Sequence, residues 1–320
     1  MSSNPQPYDV LRYFVLALDP IHVGTGGYRL GRVDMSIVRE PGTNLPKIPG
    51  TSLSGACRTY AAMAEGRYRW QQNGKTYVCA GAGQPDEGRK VEGHCGKYDC
   101  PVCVTFGFTK GDAGSFQGLA QFSDARLIFF PVHSLAGPVW VTCPGILSDL
   151  GISESVTNAG VRVANGVKVQ GKLNLGWLML SAQTGFAPDR SKLRGVPEEV
   201  LTRAVLVSNK LFGQIVNDNL EVRTSVSIDP STGAAADQAL FTYEALPRAS
   251  VLAFDVVSTD PKFYLIAGQE PLKNAGGLQA VKATIHKGLR LFEPLGIGGM
   301  NTRGMGRLKV LGFPKSGGTQ

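Results

Sequence analysis

Hydrophobic positions along the chain mostly alternate with polar ones or run in short blocks, and three longer stretches repeat at helical spacing. RYFVLALD at 12–19 reads as a buried strand closed by Pro20. A helix is expected from 51 or 52 to 65, with Leu53, Ala56, Tyr60 and Met63 on its apolar face. Thr51 or Ser52 is its expected cap and Gly66 its stop, and Pro46 and Pro49 keep 45–49 extended before it. LAQFSDARLIFFPV at 119–132 and PVWVTC at 138–143 read as strands, with a short helix after Pro144, and 165–182 is again strand-rich. Pro197, followed by Glu198 and Glu199, starts a helix whose apolar face is Leu201, Val205, Phe212 and Ile215. Between 220 and 246, Val222, Val226 and Ile228 alternate with polar residues before the turn signal DPSTG, which makes a hairpin that either projects or lies flat. A strand at 251–258 precedes a helix at 275–293 with Leu278, Val281, Ile285, Leu289 and Phe292 inward. Pro294 ends that helix, and the glycine-rich GIGGMNTRGMGR leads into a last strand, RLKVLGF.

This order of elements predicts an α+β fold, a ferredoxin-like or RRM-like body with insertions. At 320 residues and 42% hydrophobic, the chain can bury one large core or two small ones. One domain over 1–320 is expected, with 67–118 and 218–246 as additions to it. The formal charge of +8 favours a polyanionic partner, although basic proteins without one are common. MSSNPQPYDV has no apolar signal core and no run is long enough to span a bilayer, so a cytoplasmic protein with no membrane contact is expected.

In a reducing compartment six cysteines are not a disulfide framework. Cys79, Cys95, Cys100 and Cys103, with His94 beside them, have a count and spacing that suit a closed tetrahedral structural zinc, His94 being a possible substitute for one thiolate. Free thiols or a redox pair fit the same residues. The metal's role would be to fold the polar insertion at 67–118, and Cys57 and Cys143 read as core.

Two further stretches suit phosphate. At the start of the 51–58 helix, free N–H groups, the hydroxyls of Thr51 and Ser52, and the cations of Lys47 and Arg58 offer an anion site, and an ordinary N-cap accounts for the same residues. Glycines 296, 298, 299, 304 and 306, with Arg303 and Arg307, could cradle a phosphate. They are not a dinucleotide fingerprint, because they follow a helix and lead into a strand. The aromatic RNA-stacking signature of RRM domains is missing, so any RNA contact should be directed at the backbone. Asp34, on a loop, is by default a solvated group.

HVGTG at 22–26, GRVDMSIVRE at 31–40, LPKIPGTSLSGACR at 45–58, FSDARLIFFPVHSLAGPVWVTCPGIL at 122–147, LVSNKLF at 206–212, ALFTYEALP at 239–247 and GIGGMNTRGMGRL at 296–308 together resemble one family. It is the RAMP superfamily backbone subunits of type III CRISPR effector complexes, and 122–147 is most similar to the III-B (Cmr-type) large backbone subunit. Ser36 stands where the family often has proline, and Ser54 where it often has lysine, which removes one phosphate contact.

The resemblance implies a subunit stacked head to tail with further copies of itself, beside other type III effector subunits, along a guide RNA. Contacts to that RNA are expected from His22, Lys47, Thr51, Ser52, Arg58, Gly298, Gly299, Arg303 and Arg307. Asp34 is the residue implied in cutting target RNA at regular intervals, assisted by a divalent ion such as magnesium or manganese. Asp34 would either help hold that ion or position or deprotonate the attacking 2′-hydroxyl, and His22, Tyr243 and Glu244 are possible helpers. The hairpin at 218–246 corresponds to a projecting thumb between guide and target strands. A scaffold subunit with an inert Asp34 fits the same resemblance. With the resemblance set aside, a zinc-dependent small-molecule hydrolase remains.

Overall fold

A computed structural model of the chain describes residues 6–26, 33–81, 88, 91–109, 114–158, 160–235 and 240–313. The start of the basic loop at 29–32, parts of the cysteine insertion and residues 236–239 of the hairpin lie outside the described residues. The chain folds into two units, one built from residues 1–13, 49–124 and 254–295, the other from 14–48, 125–253 and 296–320.

In the first unit the helix Gly50–Ala64 packs on the helix Leu278–Arg290. Leu53, Cys57 and Ala61, four apart, line one buried face and Val281, Ile285 and Leu289 the other. Gly288 sits at the crossing: a Cβ there would lie 2.3 Å from Cys57 O and 2.6 Å from its Sγ. The inward face therefore runs through Cys57 and Ala61 rather than Ala56 and Met63, and Met63 is exposed. Nor do Thr51 and Ser52 cap the helix. Pro49 is the N-cap and makes no side-chain bond, and Gly50 N–H donates to Asp124 Oδ1 at 2.8 Å. A remote aspartate has replaced the local hydroxyl expected for that place. The strand expected over 119–132 is accordingly two strands, Ala120–Phe122 and Ala125–Val132, interrupted where Asp124 turns to this helix. Within 67–118 lie the hairpin Trp70–Gln72 with Lys75–Tyr77, the helix Pro101–Phe106, and the pair Gly107–Thr109 with Ser115–Gln117.

The second unit holds a mixed sheet. Its strands run in the order Lys172–Leu175, Leu178–Thr184, Gly160–Val163, Ala204–Leu206, Val139–Thr142 and Ala125–Val132, then residues 251–253, residues 14–17 and Leu308–Val310. Two neighbouring pairs are parallel, Gly160–Val163 with Leu178–Thr184 and Ala204–Leu206 with Val139–Thr142. Phe129, Trp140, Leu147, Phe186, Leu201 and Val251 belong to the core on it.

The single helix expected from 197 onward is a helix, a strand and a helix: Glu198–Thr202, Ala204–Leu206 and Asn209–Asp218. Ala204, Val205, Leu206 and Val207 are all fully buried, and as a central strand with neighbours on both edges they need apolar side chains on both faces. Ser208 then caps the second helix, its Oγ accepting Leu211 N–H at 3.4 Å.

Glu221–Ser225 pairs antiparallel with Phe241–Ala245, closed by the DPSTG turn, in which Asp229 Oδ1 accepts Ser231 N–H at 2.8 Å. Val222, Val226 and Ile228 are exposed, so the alternation is real but its apolar side faces outward. The base of the hairpin has a small core of its own: Tyr243, Ala245 and Met305 are buried, with Met35, Phe241 and Met300 packed against them.

Gly288→Ala should cost about 1–3 kcal/mol, because the added methyl must push the two helices apart at Cys57. Chemical denaturation measures it, and an unchanged midpoint would mean that the crossing has slack.

Candidate nucleic-acid interface and metal centre

Asp34 is exposed but not mobile in its hydrogen bonding. The segment after it lies beside Phe241–Ala245 as a parallel neighbour, Met35 bridging Tyr243, with Met35 N–H donating to Thr242 O at 3.1 Å and Glu244 N–H to Met35 O at 3.0 Å. Asp34 Oδ2 accepts Thr242 N–H at 2.7 Å and Thr242 Oγ1–H at 2.9 Å, and Thr242 Oγ1 in turn accepts Asp34 N–H at 3.1 Å. These bonds from Thr242, the backbone donor first and the hydroxyl second, hold the Asp34 carboxyl below its ordinary range. The acid is therefore ionised at neutral pH.

The candidate helpers around it are supports. Glu244 accepts Arg39 Nη2 at 2.9 Å and Ile37 N–H at 3.3 Å, so its carboxylate is already committed. Tyr243 is buried and its hydroxyl accepts Ser225 Oγ at 3.4 Å. His22, 3% exposed, donates from Nδ1 to Glu244 O at 2.6 Å and meets the Tyr243 ring edge-on. A buried imidazole tied to the backbone braces the hairpin base.

The glycine segment is also turned toward protein. Gly299 N–H donates to His22 O at 2.9 Å, and a Cβ on Gly298 would lie 2.5 Å from the same oxygen. Gly306 N–H donates to Pro20 O at 2.9 Å, with no room for a Cβ against Ile297 O. These glycines allow backbone to approach backbone, and Gly299 N–H is not available to a phosphate. Arg307 binds Asp19 through both carboxylate oxygens, Nε to Oδ2 at 2.6 Å and Nη2 to Oδ1 at 2.9 Å, and the bond from Arg307 lowers the Asp19 pKa. Its guanidinium is taken by that pair. Arg303 is exposed and stands over the Phe241 ring. Lys47 is half-buried in a short strand beside Arg126, Thr51 is exposed and Ser52 half-buried.

Cys79, Cys95, Cys100 and Cys103 come together. All four are buried, and their sulfurs lie within 4.8 Å of one another, close to the spacing of about 3.8 Å that bonds of about 2.3 Å to one tetrahedral ion would set. The donor set fits a soft metal, and the four thiols form a group that could hold one ion. Packed this way the sulfurs share protons: Cys79 is lowered by hydrogen bonds from Cys100, Cys103 and Cys95, and Cys100 is raised chiefly by its bond with Cys103. His94 lies outside the set. Its Nε2 is 2.8 Å from Arg58 Nη2 and 2.7 Å from Gly81 O.

Arg58 is thereby accounted for. Besides His94 it donates from Nε to Cys79 O at 2.8 Å and from Nη1 to Phe106 O at 3.4 Å, and burial pulls its pKa down while the four cysteines push it up. It fastens the helix Gly50–Ala64 to the cysteine loops and offsets the negative charge of any thiolate there. Trp70 Nε1 donates to Cys79 Sγ at 3.4 Å.

Sequence reasoning did not find Thr242, Asp124 or Trp70. Each acts on a partner through a contact that no local pattern marks. Thr242 alone had a signal available, since a threonine on a strand beside two aromatics can both donate and accept.

The chain is 24% identical over 320 residues, spanning 92% of each chain, to the CRISPR system Cmr endoribonuclease Cmr4 of Pyrococcus furiosus. Its fold resembles a chain in the cryo-EM structure of the type III-B Cmr-beta bound to cognate target RNA, with a TM-score of 0.65, 14% identity and coverage of 96% of this chain and 98% of that one. It also resembles crystalline oligomeric Cmr4 from Pyrococcus furiosus, with a TM-score of 0.59, 20% identity and coverage of 96% and 98%. The model of the RAMP superfamily matches residues 15–309, and since that is nearly the whole sequence, the chain belongs to the RAMP superfamily.

Proposed function

We propose that the chain is a backbone subunit of a type III-B CRISPR effector complex, which holds guide RNA by its phosphates and cuts the paired target RNA at regular intervals. One observation carries this reading: an exposed, ionised aspartate fixed at the base of a hairpin, in a chain collinear over 92% of both lengths with a relative named as an endoribonuclease. On this reading 1–320 is one ferredoxin-like or RRM-like RAMP domain, with 67–118 as a zinc-binding insertion and 218–246 as a thumb between guide and target. Copies stack head to tail, a heterologous contact that does not close and so can measure a long RNA. Other effector subunits complete the assembly.

The reaction proposed is attack of a target 2′-hydroxyl on the adjacent phosphorus. The P–O5′ bond breaks, the products are a 2′,3′-cyclic phosphate and a 5′-hydroxyl, the nucleophile's proton passes to solvent, and the leaving oxygen takes one up. A carboxylate with a lowered pKa is a poor base, so Asp34 acts by accepting a hydrogen bond from the 2′-hydroxyl on Oδ1 and aligning it. The divalent ion that the family implies, magnesium or manganese, needs about six oxygens. Among the described residues Asp34 belongs to no group of three or more ligating side chains, so phosphate and water would supply most of that shell, and no step is assigned to the ion.

Contacts to guide phosphate are assigned to the cations Lys47 and Arg303 and to the hydroxyls of Thr51 and Ser52. Zinc is assigned to the four cysteines. A tetra-thiolate site has no position left for water, which argues against the hydrolase reading.

In the reconstituted complex Asp34→Ala should lower target cutting at least about 100-fold with target affinity unchanged. Undiminished cutting would make the chain a scaffold. Guide affinity should fall steeply with added salt and depend little on guide sequence, and a flat response between low and moderate salt counts against a phosphate grip. Native mass spectrometry of the purified chain should find one zinc. Removing it with a chelator should lower the melting temperature and change Trp70 fluorescence, because the indole N–H donates to Cys79. A metal-free chain with the same melting temperature would refute the zinc assignment.

A further inference from the structure

Thr242 has no counterpart among the residues that the sequence marked for function, yet it makes three of the hydrogen bonds around Asp34. Its hydroxyl donates to Oδ2 and accepts the Asp34 N–H, its own N–H donates to the same Oδ2, and its carbonyl accepts Met35 N–H. Of the ordinary side chains only a serine or threonine hydroxyl can give and receive through one small atom at this place. An exposed aspartate on a loop would otherwise turn among its rotamers. Here one carboxylate oxygen is held twice, and among the described residues no other side chain bonds to Oδ1.

The support beneath the clamp is rigid. Thr242 stands opposite Thr224 in the hairpin, between Phe241 and Tyr243, whose rings approach to 5.9 Å. Among the described residues of the adjoining strands, Glu244 pairs with Arg39 and Arg223 with Glu221. Arg303 lies over the Phe241 ring. Among the described residues, the bonds that set Asp34 come from Thr242 and from the aspartate's own backbone.

We infer that Thr242 is a positioning residue for RNA cutting: it locks the Asp34 carboxylate to the hairpin strand so that Oδ1 is presented in one orientation, and it makes the acid move with the hairpin. This rests on the reading of Asp34 as the residue that acts on target RNA. Cutting then depends on where the hairpin sits, because acid and hairpin are one hydrogen-bonded body. Thr242→Val keeps the shape and the backbone N–H but removes the hydroxyl, so one of two donors to Oδ2 is lost along with the acceptor for Asp34 N–H.

The test is made in the full reconstituted complex, with the single-turnover cutting rate at saturating target and the target Kd measured separately for T242V, T242S, T242A and D34A. T242V should cut about 10- to 100-fold more slowly with Kd nearly unchanged, and T242S should recover most of the rate. If T242V does not assemble, T242A gives the same comparison. A T242V that cuts at the wild-type rate while D34A is inactive overturns the positioning role and leaves the reading of Asp34 intact. D34A cutting normally would overturn that reading instead. Equal losses in T242V and T242S, or losses carried by Kd, would show damage to the hairpin and also count against the inference.

Discussion

Two donors from a single threonine converge on one oxygen of Asp34, across 208 positions of sequence, and the arrangement of the second unit follows from keeping them there. For the bonds to form, residues 34–37 must lie along Phe241–Ala245, which Met35 secures through the backbone and Arg39 through its ion pair with Glu244. His22 braces the same strand from below, and its carbonyl anchors the glycine segment through Gly299. Glu244 and His22 are thus bonded within the protein, and among the described residues the bonds from Thr242 fall on Oδ2 of Asp34.

The first unit solves a different problem. Its cysteine insertion buries Val102, Val104 and Phe108, and its four thiols and one guanidinium add polar ties to that packing. Arg58 reaches from the helix Gly50–Ala64 to two carbonyls and an imidazole in the cysteine loops, and four thiols close on one point. That helix is in turn pinned at its start by Asp124 and along its length by the close crossing at Gly288. A metal ion in the thiol cluster would therefore stiffen the helix whose first turn carries Thr51 and Ser52, linking the metal to a proposed RNA contact through bonds that are all within one unit.

Charge has been redistributed in a way the net value of +8 does not reveal. Arg307 and Arg58, the two arginines most suggestive of phosphate, are engaged by Asp19 and by the cysteine loops, while Arg303 is exposed. Buried and bidentate guanidinium groups build the protein; only the remainder can serve a polyanion.

Periodicity was enough to find the helices at 50–64 and 278–290 and the strand at 251–259, because each buries a face, and the turn signal DPSTG was enough to find the hairpin although its alternating apolar side is exposed. Four cysteines at metal-binding spacing could be read for the same reason, the residue type itself carrying the chemistry. The segment at 204–207 could not: an apolar block flanked by helix formers fits either state, and only its two sheet neighbours make it a strand. Pairings such as Asp34 with Thr242, Gly50 with Asp124 and Arg307 with Asp19 leave no trace in local order, since a hydrogen bond selects a partner by distance in space. Composition and spacing thus decided which residues were candidates, and the folded chain decided which of them remained free to act.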